Sequence, residues 1–181
     1  YGAIDEQMAF FDHHGMSYHI TPGISSFLAA AAELRSQLTV PGRCQTIILT
    51  RGEGRTPVPE RERLRALAAH QSTLCIFLSA TLAQQVQDEL TEGGYPLETP
   101  VAVCHRHRIY ARGFAFHRGD IGAGGHVAAM YGADLARLIS ENNLTLNTMI
   151  VVGEAIGNRD GQSLLYDPTF SHLYRPQKNS K

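Results

Sequence analysis

The sequence predicts an α/β fold, and three observations carry that prediction. Short apolar runs fall at 45–50, 73–78, 100–104 and 148–152, helix-like stretches separate them, and Gly or Pro marks many of the joints. Strands alternating with helices imply a layered domain with a largely parallel sheet. The chain has 181 residues, 43% of them hydrophobic, which suffices for a real core.

Taken in order, Ile4, Met8 and Phe11, with Phe10 less regularly, lie at helical spacing, and His13, His14 and Gly15 supply a stop. Residues 17–20 read as a short extended run closed by Thr21, Pro22 and Gly23. Ser25 and Ser26 then stand as caps before an Ala-rich helix, Phe27 to Leu34. After a turn at Pro41 and Gly42 come a buried strand over 45–50, a polar loop over 51–59 and a charged helix over 60–70. A strand at 73–78, a helix at 83–90, a stop at Gly93 and Gly94 and a strand at 100–104 follow. Near the end, 135–141 reads as helix and 148–152 as strand, and the remainder is irregular. The segment 105–131 fits this plan poorly, carrying four of the nine His together with Arg106, Arg108, Arg112 and Arg118 before a Gly-rich stretch at 119–125.

Composition narrows the possible functions. A formal charge of -1 gives no basic field for nucleic acid or anionic lipid. No apolar run approaches the roughly 20 residues of a membrane-spanning helix, so a soluble, cytoplasmic protein is expected. Cys44, Cys75 and Cys104 form no close pair and read as reduced thiols packed in the core. His105 and His107 would share one face of a strand but lack further ligands, so no metal site is assigned. The run Gly122 to Gly125 lacks the third Gly of a dinucleotide fingerprint, with Val127 in its place, and reads as a loop. The chain opens without Met and within a helical pattern, from which a longer parent protein is expected.

Several segments, in order and spacing, resemble one family. These are Tyr1-Gly2 through Gln7, Pro22-Gly23-Ile24-Ser25-Ser26-Phe27, Leu38 to Pro41, Gln45 to Arg51, Glu53 to Glu60, and the tail Leu165 to Pro168 with Phe170, Ser171 and His172. They resemble the precorrin-4 and cobalt-precorrin-4 C(11)-methyltransferase branch of the tetrapyrrole methylases over about residues 1–104 and 132–175. The Pro-Gly-Ile-Ser-Ser turn is common to the family, and the run from Thr50 to Glu60 is closer to the branch. The chain departs from the branch after Cys104, where an Arg-Ala-Ser-Trp-Pro-like segment would stand and this chain has no Trp.

The resemblance implies a tetrapyrrole methylase fold: a C-terminal α/β domain, residues 41–181 with a divergent segment at 105–131, preceded by the end of an N-terminal cofactor-cleft domain, residues 1–40. It implies S-adenosylmethionine as cofactor and S-adenosylhomocysteine as product, a precorrin-4-type tetrapyrrole as substrate in cobalamin biosynthesis, and a homodimer. The chain alone is expected to be inactive. Tyr1, Gly2, Ser25, Ser26 and Leu78 match cofactor-contacting positions, although from the residues alone the serines are plain helix caps and Leu78 a core leucine. Arg51 and Arg55 are the candidate grips on the substrate's carboxylates, because Arg binds carboxylate through two parallel hydrogen bonds. Arg61 and Arg63 read instead as partners of Glu53, Glu60 and Glu62. No catalytic side chain is assigned, since methyl transfer from a sulfonium needs positioning more than a nucleophile. Two alternatives stand beside this reading: another tetrapyrrole substrate, or a non-catalytic binding domain.

Overall fold

The computed structural model describes residues 3–105, 130–131, 134–158, 167 and 169–171. Among them the strands are β1 (Ile47–Arg51), β2 (Thr73–Phe77), β3 (Pro100–His105), β4 (Met130–Tyr131) and β5 (Thr148–Val152). The helices are α1 (Ile4–His13), α2 (Ser26–Leu34), α3 (Leu64–Ala68), α4 (Ala83–Glu92) and α5 (Leu135–Glu141). The strands form one mixed sheet in the order β1, β2, β5, β3, β4.

This order corrects the expectation of a largely parallel sheet. Strands β1 and β2 pair in parallel, Ile47 opposite Thr73 and Arg51 opposite Phe77. The last long strand, β5, then inserts between β2 and β3 and runs antiparallel to both, with Val151 opposite Cys75 on one side and Ala102 on the other. Buried strands all read as similar apolar runs, so the sequence cannot show which of them will be neighbours.

Alternation along the strands divides the core into two layers. On one face Leu74, Ile76, Val101, Val103, Ile150 and Val152 pack under Leu64 and Ala68 of α3, Val86 and Leu90 of α4, and Leu135, Leu138 and Ile139 of α5. On the other, Cys75, Ala102, Met149 and Val151 meet Ala30 and Leu34 of α2, with Leu38 and Ile156. Helix α1 buries none of its residues and ends at His13, two residues before Gly15, which takes φ +61. The extended run expected at 17–20 pairs with no strand among the described residues and is exposed.

Two further expectations are revised. The strand placed at 45–50 spans Ile47–Arg51 and is half-buried, because among the described residues β1 has a neighbouring strand on one side only. The helix placed over 60–70 is a 3₁₀ turn, Glu60–Glu62, followed by the short α3. Arg63 between them is extended (φ -59, ψ 146), and its guanidinium meets Glu53 at 3.3 Å and Glu60 at 3.0 Å. Arg61 pairs with Glu62 at 3.8 Å, so both arginines serve the local pairing expected of them.

Candidate functional site

A cavity of about 430 Å³ opens at the carboxyl ends of β2 and β3. Its walls are Ser26, Ala29, Ala30 and Glu33 from α2, Phe77 at the end of β2 with Leu78, Ala80 and Thr81 after it, Cys104 of β3 and the segment 145–149 leading into β5. The volume lies in the usual range for small-molecule sites, and the carboxyl ends of strands are where open α/β sheets bind ligands. The face of α2 carries small residues at Ala29 and Ala30, so the helix leaves room instead of filling the space.

Leu78 is the largest correction at this site. From sequence it reads as the last core residue of its strand, yet it is 85% exposed and takes φ +54 while lining the cavity. A left-handed conformation is unfavourable for a residue with a branched side chain and persists where neighbouring contacts impose it. Here Ser79, which is buried, imposes it. Its Oγ donates to the Phe77 carbonyl at 2.7 Å and accepts from the Gly52 N–H at 2.7 Å. One hydroxyl thus closes the turn that projects Leu78 and anchors the root of the polar loop beside it. Sequence reading missed Ser79; its only signal was a small hydroxyl residue directly after a strand.

Ser25 occupies the N-cap position of α2 with extended backbone (φ -72, ψ 150), but its side chain makes no capping bond, contrary to the expected role. Its carbonyl accepts from the N–H groups of Leu28 and Ala29. The N–H groups of Ser26 and Phe27 make no hydrogen bond among the described residues, and Ser26 lines the cavity. A helix start with free donors faces whatever occupies that space. The structure therefore brings Ser26 and Leu78 to one cavity; Tyr1 and Gly2 lie outside the described residues.

The two candidate substrate arginines part company. Arg51 turns back on its own loop, donating to the carbonyls of Gly52 (3.3 Å), Thr56 (3.1 Å) and Pro57 (3.3 Å). A guanidinium engaged in this way organises the loop and has fewer donors left for a ligand. Arg55 is exposed and makes no hydrogen bond or ion pair among the described residues. The loop between them is fastened further by Glu53, whose Oε1 accepts from the Val58 N–H at 3.5 Å and whose carbonyl accepts from Gln85 at 3.3 Å. The sequence marked both arginines alike because side-chain direction is not written in spacing.

Cys104 faces the cavity with its thiol held in the protonated form. Burial, reinforced by the charge of Glu33 and by Cys75, pushes its pKa up to about 12, and burial alone pushes Cys75 to about 11. The folded protein holds these protons more tightly than an unfolded chain, whose thiols release them near 9.0. The stability they contribute is complete below 9.0 and is lost as pH rises from there toward about 12. Melting temperature is expected to fall as pH rises above about 9, and to fall less steeply in Cys104→Ala; equal slopes in a thermal-melt series would remove Cys104 as a contributor. Of the His-rich segment only His105 is described, and its Nδ1 lies 2.9 Å from the Thr148 hydroxyl. Among the described residues no cluster of three His, Cys, Asp or Glu side chains is placed to hold a metal. Likewise, no helix is long and apolar enough to cross a membrane.

Fold and cavity together define an α/β domain with a ligand-sized cavity at the carboxyl edge of its sheet. A profile of the tetrapyrrole (corrin/porphyrin) methylases matches residues 1–107, and the chain belongs to that family. It is 41% identical to the cobalt-precorrin-4 C(11)-methyltransferase of Methanocaldococcus jannaschii, across 97% of this chain and 63% of that protein. It is 36% identical to the precorrin-4 C(11)-methyltransferase of Pseudomonas aeruginosa, across 97% of this chain and 65% of the relative. Among solved structures it superimposes on a cobalt precorrin-4 methyltransferase described as a cobalamin biosynthetic enzyme, with TM-score 0.74, 36% identity and coverage of 87% of this chain and 61% of the other. A uroporphyrin-III C-methyltransferase from Thermus thermophilus shares the fold at TM-score 0.58 and 20% identity, covering 87% of this chain and 60% of that one. The chain thus spans somewhat less than two thirds of the length of these relatives.

Proposed function

We propose that this chain supplies part of an S-adenosylmethionine-dependent enzyme that methylates precorrin-4 or cobalt-precorrin-4 at C(11) in cobalamin biosynthesis. The reading is supported by the relatives' names at 36–41% identity. The observation that carries it in the structure is the cavity where Ser26 and Leu78, two family-matched positions, meet. Residues 1–40 would close this cavity as the end of an N-terminal domain against 41–181, in a cytoplasmic homodimer.

The cofactor, when bound, supplies an electrophilic methyl group on a sulfonium. The chain's own residues hold it and keep water away. The free N–H groups at the start of α2 and the Ser26 hydroxyl offer polar contacts, and Ser25 sets the turn that aims them. Leu78, projecting from its left-handed turn, offers an apolar surface to a flat ring. Tyr1 and Gly2 remain proposed cofactor contacts, as the family resemblance implies. Arg55, unpaired among the described residues, would meet an acetate or propionate of the macrocycle, and Arg51 holds the loop that presents it. No side chain is required as nucleophile, and the Cys104 thiol, held protonated, is a poor one. Titration of S-adenosylhomocysteine into the chain by calorimetry is expected to give one site with a dissociation constant of roughly 1–100 μM. Silence at about 1 mM ligand would remove the cofactor reading of the cavity.

A further inference from the structure

We infer that Glu33 selects for positive charge in the cavity, so that the site prefers a cationic sulfonium ligand over its neutral thioether counterpart. The inference rests on the cofactor reading above and adds a residue and a specificity to it.

The placement of Glu33 is electrostatically unfavourable in the free chain. Helix α2 reads Ser-Phe-Leu-Ala-Ala-Ala-Ala-Glu-Leu, with Glu33 its sole charged residue, set in the last turn where the helix's own partial charge is negative. No basic residue shares that turn, and Arg35 at the C-cap makes no ion pair with it. Its carboxylate has no hydrogen-bond partner among the described residues. An acid that violates a local rule without a compensating contact points to a function elsewhere.

Its direction supplies the function. Ser26, Ala29, Ala30 and Glu33 follow one another at helical spacing along the face of α2 that lines the cavity, and Glu33 is the one formally charged side chain among the described lining residues. Its field reaches across to Cys104 on β3. A cation beside Glu33 would meet its carboxylate and the negative end of α2 and, among the described lining residues, no positive side chain, the N–H donors of α2 lying at the opposite end of the helix. S-adenosylmethionine carries that cation at sulfur. After methyl transfer sulfur keeps the electron pair of the broken C–S bond and is neutral, so the attraction is confined to the reactant. The site would hold cofactor and release product by the same charge.

The test compares two ligands that differ by one methyl group and one charge. S-adenosylmethionine and S-adenosylhomocysteine are titrated by calorimetry into the wild-type chain, Glu33→Gln and Glu33→Asp at low and high salt. Glu33 is solvent-exposed, which limits its effect. The expected result is about a threefold to fivefold loss of S-adenosylmethionine affinity in Glu33→Gln, with the homocysteine form unchanged. The preference should survive in Glu33→Asp and shrink with salt in the wild type. Equal weakening of both ligands, or no change in either, overturns the inference while leaving the cofactor reading intact. If neither ligand binds the wild-type chain, both fall together.

Discussion

Ala29→Trp is expected to weaken S-adenosylhomocysteine binding by at least roughly tenfold, while the protein melts within about 2 °C of the parent. Ala29 is exposed on α2 and lines the cavity, whereas its neighbour Ala30 is buried at 3%. An indole grown from Ala29 therefore enters the open space instead of the packed layer beneath α2. Trp costs about 0.5 kcal/mol of helix propensity relative to Ala, small enough to keep the melt within that window. The measurement is a calorimetric titration alongside a thermal melt. Intact affinity in a folded variant would show that the ligand sits elsewhere and would detach Ser26 and Leu78 from the cofactor. Lost affinity with an unchanged melt would tie binding to this cavity without appeal to any relative.

Gly93→Ala is expected to be the most damaging small substitution for stability, at about 3 kcal/mol and a melting temperature about 10 °C lower. Gly93 follows α4 where it crosses α3. A Cβ there would lie 2.4 Å from the Ala68 Cβ and 2.5 Å from the Arg65 carbonyl oxygen. Neither is the end of a flexible chain, so the α3 backbone itself would have to withdraw. That withdrawal would loosen Leu64 and Ala68, which sit in the main core cluster at 1% and 0% exposure. Gly54→Ala is the control, since its Cβ would find only the Leu82 Cδ1 at an ordinary 3.6 Å. Urea or thermal unfolding of the two variants decides the matter. A Gly93→Ala protein as stable as Gly54→Ala would mean that α3 and α4 are not held at the observed separation.

The sequence by itself determined the local elements and the family. Helix α5 and strand β5 lie where periodicity put them, and β2, β3 and α4 differ only at their ends. These segments were legible because each has a clear apolar pattern and a turn signal beside it. The Pro-Gly-Ile-Ser-Ser turn and the run from Thr50 to Glu60 pointed to the tetrapyrrole methylases, which the profile over residues 1–107 bears out. The tertiary structure alone decided the rest. It placed β5 between β2 and β3, because strand order depends on which faces meet and not on any strand's own pattern. It turned Leu78 outward through a hydroxyl bonded to Gly52, 27 residues from Ser79 in sequence. It also spent Arg51 on loop carbonyls while giving Arg55 no partner among the described residues. Periodicity reports the burial a residue needs, whereas the direction of a side chain at a strand end is set by bonds between segments distant in sequence, and there the site was decided.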